Sequence, residues 1–255
     1  MGGYWEFIDP FDDKTGNIFV RVEHLARYLY AAQFIRKRKL HRALDCACGN
    51  GYGCRALSAE AQAVVGVDAN RELLAQGAAA IVGHRINNVE LHQADVNHGL
   101  PMFADGTFDI VTCFETLEHI EREEQLLTEL HRALRRGGWL LLSVPKAGYE
   151  PADTEGRPEN PYHLRLYEAN GLKALLEQHG FAVEKILGQP YTNISRANME
   201  SWRRDSGVTA EEFGSYFLET PQSMECFCKL WGWPTEEGAQ HSNVLLAVCR
   251  RIIII

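Results

Sequence analysis

Ten residues, Leu44-Asp45-Cys46-Ala47-Cys48-Gly49-Asn50-Gly51-Tyr52-Gly53, constrain the fold of this chain more than any others. The apolar pair Ala43-Leu44 runs into an acid and then a loop with glycine at 49, 51 and 53, and residues 55–60 read as a helix directly after it. Glycines this close let the backbone turn sharply and come near a ligand. A second strand, 63–67, delivers Asp68 at its carboxyl end, where an acid can hold ribose hydroxyls. Together these segments form a nucleotide-type βαβ unit. The spacing is G-x-G-x-G rather than the dinucleotide fingerprint G-x-G-x-x-G, and no basic residue lies in the loop to meet a pyrophosphate. An acid on either side suits a ligand with a cationic portion and a ribose. Alone, the loop also admits the reading of an ordinary strand-to-helix turn, which Asp68 disfavours.

A length of 255 residues, 45% of them hydrophobic, accommodates one α/β domain with an insertion and a full core. The net charge of −8 supplies no global attraction to nucleic acid. The one basic run, Arg36-Lys37-Arg38-Lys39, follows a helix-like segment and reads as its dipole-compatible last turn. Seven cysteines (46, 48, 54, 113, 226, 228 and 249) do not pair evenly, and residues 1–13 show no charged-then-apolar leader. The expectation is a cytoplasmic protein with free thiols. Its two C-x-C pairs miss the C-x2–4-C spacing of zinc sites, and no clustered His/Asp/Glu set is visible, so no metal is expected. The terminal Ile252-Ile253-Ile254-Ile255 is too short to span a bilayer, and no membrane partner is expected.

Apolar positions Leu25, Tyr28, Leu29, Ala32 and Ile35 place a helix over 20–36. After Asp68, residues 70–82 read as a helix capped by Asn70, 88–92 as a third strand ending near Asp95, and 108–114 as a buried fourth strand. A charged amphipathic helix over 121–136, with Leu134 on its inner face, ends at Gly137-Gly138, and 139–144 is the fifth strand. A helix at 171–179, a sixth strand at 181–187 and a last strand at 244–249 complete the series. Strands alternating with helices predict an α/β, doubly wound, mostly parallel seven-stranded sheet with helices on both faces. The connection before the last strand is long and carries eight aromatic residues from Tyr191 to Trp233. It reads as a cap over the pocket or, alternatively, as an aromatic patch for homodimerisation.

The ordered series resembles class I S-adenosylmethionine-dependent methyltransferases, and its carriers span residues 43–145. Residues 43–58 resemble the family's first motif and 64–70 its acidic second segment. Leu100-Pro101 through Phe108-Asp109-Ile110-Val111 resembles its "LPF-D-FDVV" block. Glu115-Thr116-Leu117-Glu118-His119-Ile120 resembles its "E-LEHI" turn, and 134–139 its "LKPGG" turn. Two departures are Arg136 where Pro is usual and Ala47 where Gly is commoner. Around this core, His24 to Tyr28 and Asn160-Pro161-Tyr162-His163 resemble a subgroup acting on small molecules and sugars.

The resemblance implies a Rossmann-like methyltransferase fold over 1–255: a cover helix at 20–39, a core at 40–189, a cap-like insertion at 190–240 and the last strand at 241–255. It also implies S-adenosyl-L-methionine as cofactor and S-adenosyl-L-homocysteine as product. Ala47, Gly49 and Gly51 then meet the methionine portion, and Asp45 its ammonium, against a reading of Asp45 as a plain strand-end acid. Asp68, with Ala69, takes the ribose; Asp95 and Val96 the adenine; Phe114 and Glu115 complete the wall. Arg27 and Tyr28 either close the carboxylate end or merely pack. His163 is the base candidate, since imidazole titrates near neutrality; His119 either faces the substrate or bonds within the fold. Trp202, Trp231 and Trp233 are the candidates for capturing a small-molecule acceptor. The expected activity is metal-free methyl transfer to O or N of a small, ring-shaped metabolite in biosynthesis. A sugar acceptor and a non-catalytic cofactor-binding module remain open alternatives.

Overall fold

The computed structural model describes residues 7–12, 14–15, 18–189, 201, 204–209, 212, 215, 219–240 and 242–252. Its centre is a seven-stranded sheet in the order β3-β2-β1-β4-β5-β7-β6. The strands are β1 (Arg42–Cys46), β2 (Ala63–Asp68), β3 (Val89–Gln93), β4 (Phe108–Phe114), β5 (Leu134–Pro145), β6 (Phe181–Gly188) and β7 (Val244–Arg251). The pairs β1–β2, β2–β3, β1–β4 and β4–β5 are parallel, and β7 alone runs antiparallel, between β5 and β6. The central strands are apolar on both faces because helices cover both; β3, at the edge, is mostly exposed.

Helix α1 (Ile18–Arg38) and helix α2 (Tyr52–Ser58) lie on one face, where Tyr28, Ala31, Phe34 and Ile35 pack on Ala43, Ile110, Leu141 and Leu246. On the other face α4 (Glu123–Ala133) and α5 (Ala169–Gln178) bury Leu127, Leu130, Leu172 and Leu176. Helix α3 (Arg71–Gly83) starts at Asn70, whose side chain accepts from Glu72 N and Leu73 N at 3.0 and 3.2 Å. The basic run closes α1 as expected: Arg38 stacks 3.7 Å from the Phe34 ring centroid and Arg36 pairs with Glu60.

One boundary moves. Helix α4 stops at Ala133 rather than 136, because Leu134 already pairs with Phe108 at the start of β5. The ion pair of Arg135 with Asp109 and the left-handed Gly137 (φ +68°) hold the irregular stretch that follows.

The described part of the long connection holds α6 (Pro221–Phe227) and a π-turn, Cys228–Gly232. Both pack along α1: Gly232 lies so close to Ala26 that a Cβ there would come within 2.9 Å of it, and Cys228 joins Val22, Leu25 and Ala26 in one apolar cluster. No helix among the described residues is long and apolar enough to cross a membrane.

Candidate active site

A cavity of about 810 Å³ opens at the carboxyl ends of β1, β2 and β4, where the winding of the sheet reverses and open α/β sheets bind ligands. The glycine loop forms its floor. Asp68, closing β2, locks that floor in place: its Oδ2 accepts from Gly49 N and its Oδ1 from Asn70 N, both at 2.8 Å. Gly49 sits at φ +55° beneath the Phe7 ring, which a Cβ would approach to 2.2 Å. Residues 7 and 8, to which the sequence reading assigned no role, therefore form part of the wall.

Ala47 occupies a left-handed conformation, φ +59°, where the family resemblance has glycine. That conformation costs an L-residue about 1–2 kcal/mol. We expect Ala47→Gly to raise stability by up to about 1 kcal/mol after the entropic disadvantage of glycine is subtracted; urea unfolding of both proteins measures it, and a clear loss would show that the methyl is needed for packing.

Asp45 is fully buried and does not reach the wall. Its Oδ1 accepts from Tyr28 Oη at 3.0 Å and Thr112 Oγ1 at 2.7 Å, and its Oδ2 from Cys54 Sγ at 3.5 Å. Burial pushes its carboxyl up to about 7 despite those donors. The expected partner of an ammonium is thus a support beneath Tyr28, which itself lines the cavity. Gly51, at φ +69°, caps α2 and faces Leu91, also off the wall. At Gly53 a Cβ would lie 2.1 Å from the Tyr28 ring, so this glycine lets α1 lie over the start of α2.

Arg27 is 1% exposed and lines the cavity. Its NH1 donates to Gln189 Oε1, whose own Nε2 donates to Glu23 O and Gly232 O at 2.7 and 2.8 Å. Its Nε and NH2 have no hydrogen-bond partner. Buried donors left this way cost stability unless a ligand accepts from them, and a carboxylate is the complementary group. Glu115 lies 4.0 Å away across the wall and is held at φ +47° by Ser143, whose Oγ donates to Glu115 Oε1 at 2.7 Å. Ala69, Val96 and Phe114 line the same cavity, as does Asp95, which caps the turn at Val96–His98. Hydrogen bonds from Asn97 hold the Asp95 carboxyl below its ordinary range.

A further stretch of the cavity wall is polar. His119 lies in a 3-10 turn, Leu117–His119, before α4, and its Nδ1 lies 2.6 Å from Tyr162 O. His163 Nδ1 lies 2.6 Å from Glu150 Oε2. The two imidazoles meet edge to face at 5.0 Å. Leu164 N donates to Glu118 O at 2.8 Å and Arg165 NH1 to Ile120 O at 2.7 Å, which ties the 160–165 loop to this turn. Glu118 beneath them is fully buried, and its burial together with the charge of Glu115 pushes its carboxyl well up. Glu118, Glu150 and Gln189 had no role in the sequence reading. Glu118 lies within the Glu115–Ile120 turn that resembles the family's "E-LEHI" pattern, whereas Glu150 and Gln189 carry no local signal.

The two described tryptophans of the long connection, Trp231 and Trp233, do not join this wall. Trp202 lies outside the described residues. Trp231 packs edge-on against Phe227 in the cluster on α1, and Trp233 against Tyr30 at 5.7 Å. Neither lines the cavity, nor does any other described residue of 190–240. Their packing braces the helix that carries Arg27 and Tyr28. The expectation of a side-chain set without metal-ligand clustering also changes: one donor atom each of Glu118, His119 and His163 lies within 4.8 Å of the others. The C-x-C cysteines form no such group among the described residues.

Residues 44–142 match the family described as Methyltransferase domain. A probable S-adenosylmethionine-dependent methyltransferase of Mycolicibacterium smegmatis is 34% identical over 61% of this chain and 60% of its own length. The chain thus spans about 60% of that relative. Among solved structures, the phosphoethanolamine N-methyltransferase 2 of Haemonchus contortus, in complex with S-adenosyl-L-methionine, superposes with a TM-score of 0.60 at 18% identity, covering 97% of this chain and 61% of its own. The [4+2]-cyclase SpnF superposes at 0.59 and 18%, over 99% and 88%. Similarity to methyltransferases is thus concentrated in residues 44–142, the stretch that holds the glycine loop, Asp68 and Glu115. Its Rossmann-like sheet with one antiparallel strand is the fold it shares with these solved structures.

Proposed function

We propose that the chain is an S-adenosylmethionine-dependent methyltransferase acting at an oxygen or nitrogen of a small molecule. The observation that carries this reading is the pairing on one wall of the unpartnered, buried Arg27 donors with Asp68 beside the glycine floor. These suit a carboxylate at one end and ribose hydroxyls at the other, with Asp95 and Val96 beyond for the base. Bound there, S-adenosylmethionine supplies a sulfonium-activated methyl for in-line displacement and leaves as S-adenosylhomocysteine. The protein's part is alignment, and orientation of two reactants is worth about 7–11 kcal/mol. Proton removal adds only about 10²–10⁴-fold. His163, oriented by Glu150, and His119 are the groups placed to receive that proton.

A cavity of this volume holds a ring-sized acceptor, and Tyr149 and Tyr162 on its wall favour one. The net charge disfavours a nucleic-acid acceptor. A sugar is the alternative acceptor. Because a cyclase shares the fold, cofactor binding and methyl transfer are tested separately. Calorimetry should show S-adenosylhomocysteine binding and no NAD binding. The cofactor reading is sunk by NAD binding, or by silence of S-adenosylhomocysteine at millimolar concentration. Transfer of labelled methyl to a panel of phenols, amines and sugars decides the activity.

A further inference from the structure

We propose that Glu118, His119 and His163 form a binding site for a divalent first-row transition cation of the zinc type, at the part of the cavity wall that His119 and His163 line. The three come from two segments, a turn after β4 and a loop more than forty residues later, and one donor atom of each lies within 4.8 Å of the others. Donors around one tetrahedral Zn²⁺ stand about 3.4 Å apart at Zn–N and Zn–O lengths of about 2.1 Å. Side-chain adjustments of less than about 1 Å each would therefore close the shell.

Glu118 points to a ligand independently of that clustering. It is 0% exposed, and neither carboxylate oxygen has a hydrogen-bond partner. The nearest cationic candidate is His119 Nε2, 3.8 Å away and beyond hydrogen-bond length. A buried carboxylate without donors is costly unless something positive meets it.

The imidazoles are oriented as metal ligands commonly are. Tyr162 O can only accept, so His119 Nδ1 carries the proton facing it at 2.6 Å. Glu150 Oε2 likewise accepts from His163 Nδ1, a carboxylate–histidine pair of the kind that backs metal ligands. With Nδ1 so engaged in each ring, Nε2 is the nitrogen left to coordinate. That of His163 accepts from Asn160 Nδ2 at 3.0 Å, a bond that coordination would replace. Two imidazoles and one carboxylate suit Zn²⁺, Fe²⁺, Mn²⁺ or Co²⁺, whereas an all-oxygen shell would suit Mg²⁺ or Ca²⁺. Three protein ligands leave a position open toward the cavity, which is the pattern of catalytic rather than structural sites. An acceptor hydroxyl there would have its proton loosened by the cation, and His163 would serve as ligand instead of base. That role rests on the methyl-transfer reading; the binding site does not.

The test uses the full chain after treatment with chelator. Titration with Zn²⁺ should show one strong site. Co²⁺ should give weak visible bands of nitrogen and oxygen ligation, without intense thiolate charge transfer. His119→Ala and His163→Ala should each weaken Zn²⁺ binding by at least about tenfold, the scale on which even supporting residues act. Spin-echo modulation from bound Cu²⁺ should report two imidazoles on the unaltered chain, so the result does not depend on the variants folding. Absence of a strong site, thiolate bands, fewer than two imidazoles, or affinities unmoved in folded variants would each overturn the site. S-adenosylhomocysteine affinity is measured on the same chelated samples. Its absence there would defeat the methyltransferase reading and leave the metal result standing.

Discussion

Between pH 4 and 8 the unaltered protein is expected to lose about 4 kcal/mol of stability relative to Asp45→Asn. In the folded chain the Asp45 carboxyl is pushed by burial from its ordinary 3.8 to about 7. Below the lower value both states hold the proton and the group contributes nothing to the pH dependence. Between the two values the unfolded chain has released its proton while the folded chain retains it. Stability therefore falls as pH rises, by about 1.4 kcal/mol per pH unit, and levels off above the folded value. The amide of the variant keeps an acceptor oxygen for Tyr28 and Thr112 but cannot ionise. Other carboxylates slope the opposite way: Asp109, with hydrogen bonds from Arg42 N, His41 N and Arg135, is held low. The difference between the two proteins removes their shared contribution. Urea unfolding across the range decides the matter, and parallel stability curves would show that Asp45 is ionised in the fold throughout.

Asp68→Ala should weaken S-adenosylhomocysteine binding by about ten- to a hundredfold, since a hydrogen bond to a charged group is worth roughly 1.5–3 kcal/mol. We expect the upper end of that range. Asp68 also accepts from Gly49 N and Asn70 N, so its loss would free the glycine floor as well as the proposed ribose contact. Asp68→Asn retains one acceptor oxygen and should fall between the two proteins. Calorimetry on all three orders them; equal affinities would remove Asp68 from the cofactor site while leaving its strand-end role intact.

The order of strands and helices was readable from residue pattern because its causes are local. Continuous apolar runs make β1, β2 and β4, an Asn cap starts α3, and glycine spacing shapes the loop after β1. Asp68 was legible for the same reason, since a strand-end acid after a glycine loop has few other places to be. The end of α4 was misjudged because Leu134 satisfies a helical pattern as well as a strand pairing, and the pairing with Phe108 prevails.

Which side chains face one another was not legible from the sequence. The sequence determined a βαβ-based α/β sheet, the glycine floor and the acids beside it. Tertiary structure decided that Tyr28 covers Asp45, that Gln189 anchors Arg27, and that Trp231 and Trp233 brace α1 instead of lining the cavity. It also brought His163 to Glu118 and His119 across more than forty residues of intervening chain. The physical reason is that propensity and periodicity act over a few residues, whereas burial, orphaned charge and ligand clustering depend on contacts made only when distant segments pack together.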